Sequence, residues 1–351
     1  MPPIDPTAET LSRYSRQIRF PLIGEEGQSR LAQSTALIVG CGALGSVIAN
    51  TLGRAGVGNL KLVDRDFVDL SNLQRQVLYT EADVEQNLPK AIAASHHLRN
   101  INSNINVQAI VADVTAANIH EIAKGVDVIL DGSDNFEVRF LINDLAVQQG
   151  IPWIYGGCLG ADGQTMTIIP EQSACLNCLM LDGPPPPGTT PTCDSFGIVS
   201  PIINVIASIQ SMEAIKILVG SVEAVSKKLQ VFSLWDNVSR QIDVSDLRQR
   251  VDCPTCKQKQ FRWLQGDQGS RSDVLCGRNA VQLTAPVPIK IDLSSLADRL
   301  SDLGEVQANE YLVRFHYEEF TLTIFPEGRL IVSGTDDPAI ARKLQAQFLG
   351  S

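Results

Sequence analysis

The sequence predicts an α/β protein: a doubly wound, mostly parallel sheet with an antiparallel extension, followed by a small C-terminal α+β domain. Three observations predict it. Short apolar runs alternate with segments of helical spacing from residue 35 to residue 157, as buried parallel strands and their crossover helices do. The run GCGALG (40–45) stands at the first strand-to-helix junction. After residue 157 the pattern changes, and a polar Gly/Ser stretch, QGDQGSRSD, sets the last residues apart.

TALIVG (35–40) is a strand ending in glycine, SVIANTLGRAG (46–56) a helix, and NLKLVD (59–64) a strand ending in aspartate. KAIAASHHLRNIN (90–102) reads as the next helix, NVQAIVAD (106–113) as a strand, residues 116–124 as a helix, and VDVILDGSDN (126–135) and IPWIYGG (151–157) as further strands. QTMTIIP (164–170) and KLQVFSLWD (228–236) suit antiparallel or mixed pairing. DGPPPPGTTPTCDS (182–195) reads as an extended loop, because consecutive prolines can join neither a helix nor a central strand. PIINVIASIQSMEAIKILVG (201–220) is an apolar helix interrupted by Asn204, Gln210 and Glu213, which suits a buried core helix better than a membrane span. These elements form one domain, 1–265. A linker follows, 266–285, and then a unit, 286–351, with the order β-α-β-β-β-α. Its strands are PIKID, EYLVRFHY and the two halves of FTLTIFPEGRLIVS. Its helices are LSSLADRLSDLG, with Asp292 near its N-cap, and DPAIARKLQAQFL, with Pro338 in its first turn.

The 351 residues are 44% hydrophobic and carry a formal net charge of −10. An acidic total argues against nucleic-acid and anionic-membrane partners, which call for a basic surface. The N-terminal segment has no signal-peptide pattern, and the expected compartment is the cytoplasm, where thiols stay reduced. The eight cysteines therefore need another account than a disulfide framework.

GCGALG is a G-x-G-x-x-G turn. Gly40, Gly42 and Gly45, with Ala43, let the backbone turn tightly, and the helix N-terminus supplies N–H donors to a phosphate. Asp64 ends the next strand, where a carboxylate can accept from ribose hydroxyls. These features alone serve NAD as well as ATP. The residues after them discriminate: Asp66, Asn72, Arg75, Gln76 and Lys90 follow closely. Hydride transfer needs no such group, whereas breaking ATP between its α- and β-phosphates puts charge on the leaving pyrophosphate. Arg75 can grip a phosphate bidentately and Lys90 supplies a compact charge. Asp134, with Asn135 beside it in DGSDN (131–135), lies beyond a strand's C-terminal end and is a natural carboxylate for Mg2+. CLNC (175–178) and CPTC (253–256) supply four thiolates, Cys175, Cys178, Cys253 and Cys256, enough for a closed structural Zn2+ site. Cys193 precedes the apolar helix, where a helix N-terminus can lower a thiol pKa.

RYSRQI (13–18), GCGALG, GVGNLKLVDRDFVDLSNLQRQ (56–76), PKA (89–91), DGSDN, CLNC, TCDSFGIVSP (192–201), SMEAIKIL (211–218) and CPTC occur in order. With these pieces the chain resembles the bacterial adenylyltransferases MoeB, ThiF and HesA, relatives of the ubiquitin-activating enzymes, most of all the MoeB type. The resemblance implies a Rossmann-like sheet with a structural zinc site and ATP-dependent adenylation of the C-terminal Gly-Gly carboxylate of a ubiquitin-like sulfur carrier. It implies a homodimer in which Arg16 reaches the partner's active site, and a sulfurtransferase or cysteine desulfurase as sulfur donor. Asn72, Arg75 and Lys90 would surround the polyphosphate, and Cys193 is a candidate for a covalent link to the carrier or for persulfide handling. Molybdopterin synthesis is the first expectation, with thiamine synthesis and tRNA thiolation as alternatives. An NAD-dependent oxidoreductase and a nucleotide-binding scaffold remain open as readings of the glycine turn. One departure stands out: EQNLPK (85–90) lacks the glycine of the family's Gly-Gln-Pro-Lys and reads as a short insertion.

Overall fold

A computed structural model describes residues 12–181, 183, 193–266, 274–275, 279–283 and 290–349. The chain divides into two compact units, Met1–Pro184 with Ile198–Gly269, and Pro185–Gly197 with Ser270–Ser351.

The first unit is built on an eight-stranded sheet. Its parallel part comprises β1 (Thr35–Val39), β2 (Asn59–Asp64), β3 (Asn106–Val111), β4 (Val128–Asp131) and β5 (Trp153–Leu159). Antiparallel β6 (Asp162–Ile168), β7 (Leu229–Ser233) and β8 (Val238–Ile242) extend it. The strand order 3-2-1-4-5-6-7-8 reverses direction between β1 and β4. At such a switch point the crossover helices diverge to opposite faces and leave a crevice at the strands' C-terminal ends.

Alternation along the strands feeds a core on each face. Ala36 and Ile38 of β1 and Leu60 and Leu62 of β2 pack with the helices Ala43–Ala55, Lys90–Ile101 and Ser200–Leu218. Leu37, Val39 and Val63 face the other way, into a core with the helix Phe136–Gln149 and the four-cysteine segment. Ser200–Leu218 is long and apolar enough to cross a membrane by length and composition, yet it is largely buried against β5, β6 and the helix Ala43–Ala55. Its mid-helix Gln210 is fully buried because its amide donates to Asp131 O at 2.9 Å and Ile154 O at 3.2 Å.

The second unit holds a six-stranded antiparallel sheet of β9 (Val274–Leu275), β10 (Ala280–Leu283), β11 (Glu305–Ala308), β12 (Val313–Tyr317), β13 (Phe320–Ile324) and β14 (Leu330–Ser333). Its order is 11-12-13-14-10-9. Val281, Phe315, Leu322 and Val332 pack with Leu296 and Leu300 of the helix Leu293–Ser301 and Leu344 and Phe348 of the helix Pro338–Phe348. Asp292 and Asp337 cap these helices.

Several sequence expectations are corrected. The 266–285 segment, read as linker, contributes β9 and β10. Of PIKID, Lys290 and Ile291 lie outside any strand, and Pro288 and Ile289 lie outside the described residues. The helix expected over 116–124 is a single turn, Ile119–Ile122. The helices Gly24–Gln33 and Phe136–Gln149 and the strands β8 and β11 were not read from the sequence.

Candidate active site

The chain leaves β1 through Gly40, in the left-handed region at φ +87°, and turns into the helix Ala43–Ala55 with Gly42 at its N-cap. The glycines answer to space. A Cβ on Gly45 would stand 1.8 Å from Gly40 O, and one on Gly132, just past β4, 2.5 Å from the same oxygen. The turns after β1 and β4 thus touch backbone to backbone at the switch point.

Asp64, ending β2, holds this turn. Its Oδ2 accepts from Cys41 N and its Oδ1 from Asp66 N, both at 2.7 Å. Burial raises its pKa, and Lys90 opposes that rise. Asp66 meets Lys90, its Oδ2 lying 3.3 Å from Lys90 Nζ, and the Lys90 N–H donates to Asp66 O at 2.8 Å. Arg65 bridges Asp113 at 2.8 Å and Asp66 at 3.8 Å. Burial works against the charge on Arg65, but the two carboxylates outweigh it and leave its pKa raised. The structure therefore brings together the glycine turn, Asp64, Asp66 and Lys90.

Gln76 is buried beside the turn. Its Nε2 lies 3.9 Å from the point where a Gly42 Cβ would be, and its Oε1 has no hydrogen-bond partner among the described residues. An orphaned buried acceptor is costly unless a ligand or water completes it. It sits where a nucleotide would meet the glycine turn.

DLSNLQRQ (69–76) forms a short 3-10 turn, Leu70–Asn72. Asp69 accepts from Ser71 N at 2.9 Å, and buried Asn72 returns its Oδ1 to Asp69 N at 3.3 Å. Arg75 Nη1 donates to Ser71 O at 2.9 Å. Asn72 thus closes the turn's capping box with Asp69, while Arg75 occupies a carbonyl of the same turn.

In EQNLPK, Asn87 adopts φ +49°, in the left-handed region that asparagine enters more readily than most residues. Pro89 then precedes a helix that starts at Lys90.

On the β4 side, Asp131 is fully buried and paired with Arg139 at 2.9 Å. Arg139 also donates to Ser133 O at 2.7 Å and Gly156 O at 3.0 Å, which fixes the loop carrying Asp134. Asp134 is exposed, within the electrostatic reach of Arg65 and Arg139. Asn135 caps the helix Phe136–Gln149, accepting from Glu137 N at 2.8 Å. Sequence reasoning missed Arg139, Tyr79 and Gln210. Only Gln210 carried a readable signal, a polar residue inside an apolar helix.

Arg16 lies elsewhere. Its neighbours Tyr14 and Gln17 are anchored, Tyr14 OH accepting from Asn102 Nδ2 at 2.8 Å and Gln17 Nε2 donating to Ala55 O at 2.8 Å, while Arg16 is exposed. Ala55 ends the 13-residue helix that begins at the glycine turn, so Arg16 sits about 20 Å along that helix from its own chain's turn. Cys193 opens the short helix Cys193–Phe196, and its side chain lies outside the described residues.

The four cysteines converge. All are buried, their Sγ atoms lie within 4.8 Å of one another, and the hydrogen-bonding pairs are 3.8, 3.6 and 3.5 Å apart. Four sulfurs about 2.3 Å from a central Zn2+ would form a tetrahedron with edges of about 3.8 Å, so the donor set and spacing fit that ion. Asn177 Nδ2 donates to Thr255 Oγ1 at 2.8 Å, and Thr255 Oγ1 to Asp144 Oδ1 at 3.0 Å, tying both knuckles to the helix Phe136–Gln149. Burial pushes Asp144 up to about 6.

A glycine turn against a helix N-terminus, a carboxylate closing β2 and a lysine held beside it define a nucleotide-binding α/β protein with a four-cysteine anchor remote in fold from the turn. The sequence profile of the ThiF family matches residues 14–255. The chain belongs to that family and is an adenylyltransferase. A sulfur carrier protein ThiS adenylyltransferase of Bacillus subtilis is 43% identical, over 96% of this chain and 99% of that one. An adenylyltransferase and sulfurtransferase MOCS3 of Sus scrofa is 34% identical, over 81% of this chain and 63% of that one. Among solved structures, E. coli MccB with ATP shares the fold, with a TM-score of 0.59 and 21% identity over 68% of this chain and 73% of that one.

Proposed function

We propose that the protein adenylates the C-terminal Gly-Gly carboxylate of a ubiquitin-like sulfur carrier. A carboxylate oxygen attacks the α-phosphorus of ATP, the bond to the β-phosphate bridging oxygen breaks, and acyl-adenylate and pyrophosphate form. A sulfur donor, a sulfurtransferase or cysteine desulfurase, then supplies the sulfur that displaces AMP. The observation that carries this reading is the glycine turn joined through Asp64 and Asp66 to Lys90, in a chain of this family.

Gly42 and the helix N-terminus receive the phosphates, Asp64 keeps lone pairs for the ribose, and Gln76 completes its buried Oε1 on the nucleotide. Lys90, released from Asp66, and Arg75, released from Ser71, take up charge on the leaving pyrophosphate. Asp134 would hold Mg2+, which supplies charge neutralisation when bound. Arg16, beside the far end of the helix Ala43–Ala55 and so too distant to serve its own site, acts in that of a partner subunit, which makes the working unit a homodimer.

The carrier is of the ThiS kind in this reading, because the Bacillus subtilis relative matches across both units of the chain. A carrier of molybdopterin synthesis is the second reading, favoured by the likeness to MOCS3. Incubation with ATP and each Gly-Gly-ending carrier, followed by mass spectrometry, tests the proposal. One carrier should gain an adenylyl group; a full set of carriers left unmodified would contradict it.

A further inference from the structure

We infer that Tyr79 is a positioning residue for the nucleotide, its hydroxyl setting the direction of the Gly42 N–H and joining that donor to Lys90. The inference rests on the adenylation reading and adds to it a residue that touches no substrate.

Tyr79 follows the DLSNLQRQ turn, and its side chain is only 7% exposed. Its hydroxyl donates to Cys41 O at 2.6 Å and lies 3.3 Å from Lys90 O. Cys41 is the residue between Gly40 and Gly42. Its N–H is held by Asp64 Oδ2 at 2.7 Å and its carbonyl by Tyr79, so the peptide groups on both sides of it are fixed by side chains. All described peptide bonds are trans. In a trans peptide the N–H points opposite to the carbonyl of the preceding residue. The bond from Tyr79 therefore turns the Gly42 N–H away from the ring. That N–H has no acceptor among the described residues. It joins the unpaired donors at the head of the helix Ala43–Ala55, where an anion is favoured.

The same hydroxyl reaches the first residue of the helix Lys90–Ile101. Lys90 is also held through its N–H on Asp66 O. One buried phenol thus touches the two backbone positions from which the polyphosphate would be gripped. Burial raises the phenol's pKa, with the neighbouring Cys41 and Asp64 acting in the same sense, so it stays protonated and remains a donor.

Tyr79→Phe in the full chain keeps the ring and removes only the hydroxyl. ATP–pyrophosphate exchange is measured with the carrier that supports exchange by the wild type, varying ATP and carrier separately. The KM for ATP should rise about tenfold, as expected for one misdirected hydrogen bond to a charged ligand, while the KM for the carrier stays within about twofold. The stabilisation of the melting transition by added ATP should shrink in parallel. An ATP KM and an ATP-dependent melting shift equal to wild type would overturn the inference, even if the variant melts at a lower temperature, because that pattern is a packing role alone. Should the wild type show no exchange with any carrier, the adenylation reading is what fails, and the ATP-dependent melting shift still decides the role of Tyr79.

Discussion

Asn72 and Arg75 illustrate how residue-scale reading and structure part company. A polar turn beside a glycine loop suggests side chains turned to phosphate, but both residues here satisfy the backbone of their own turn. Arg75 is partly buried, and its bond to a carbonyl is weak beside one to a pyrophosphate oxygen, so nucleotide would recruit it. Arg75→Ala and Asp134→Ala should each lower adenylation by on the order of 10²-fold while the circular dichroism and melting transition stay near wild type. Full activity in either would displace the site. Asn87 gives a second test. Asn87→Gly should leave activity and stability close to wild type, because glycine accepts φ +49° freely, whereas Asn87→Val should cost about 1–3 kcal/mol in denaturant unfolding. Equal stability of the two variants would show that the left-handed backbone does not constrain this position.

At the scale of elements, legibility followed burial. Strands β1 and β4 are buried along almost their whole length and stand out as apolar runs, β2 buries Leu60, Leu62 and Val63, and Gly40 and Asp64 mark the crevice. The helix Phe136–Gln149 was missed because its buried face includes Arg139, Asn143 and Asp144, polar residues whose partners come from distant segments. Strand β10 was missed for a related reason: a four-residue stretch, AVQL, broken by Gln282, shows its pairing with β14 only once the sheet is assembled. The four cysteines were readable from spacing alone, and the structure closes them into one cluster. Cys178→Ser, or stripping with a thiol-competing chelator, should lower the melting temperature of the first unit by on the order of 10 °C or more, given that 1 kcal/mol moves a unit of this size by about 2–4 °C. Metal analysis of the purified wild type should find zinc near one per chain. A chelator-treated protein that keeps its melting temperature would mean the thiols need no ion.

For the whole molecule, the central claim is that a ThiF-family chain with an intact phosphate turn activates a carrier's carboxylate and does so as a homodimer. The placement of Arg16 about 20 Å along the helix Ala43–Ala55 makes the dimer testable without a structure of the complex. Arg16→Ala and Asp134→Ala proteins should each be inactive alone, and mixing them should restore part of the activity through heterodimers with one intact composite site. No recovery after verified subunit exchange would place Arg16 in its own subunit's site and contradict the composite dimer. The most direct measurement remains ATP–pyrophosphate exchange on the purified full-length protein, with and without each Gly-Gly-ending carrier. The structure and family predict exchange that appears with one carrier and is absent without it. Exchange with none, in folded protein that binds ATP, would contradict the account and leave a nucleotide-binding scaffold in its place.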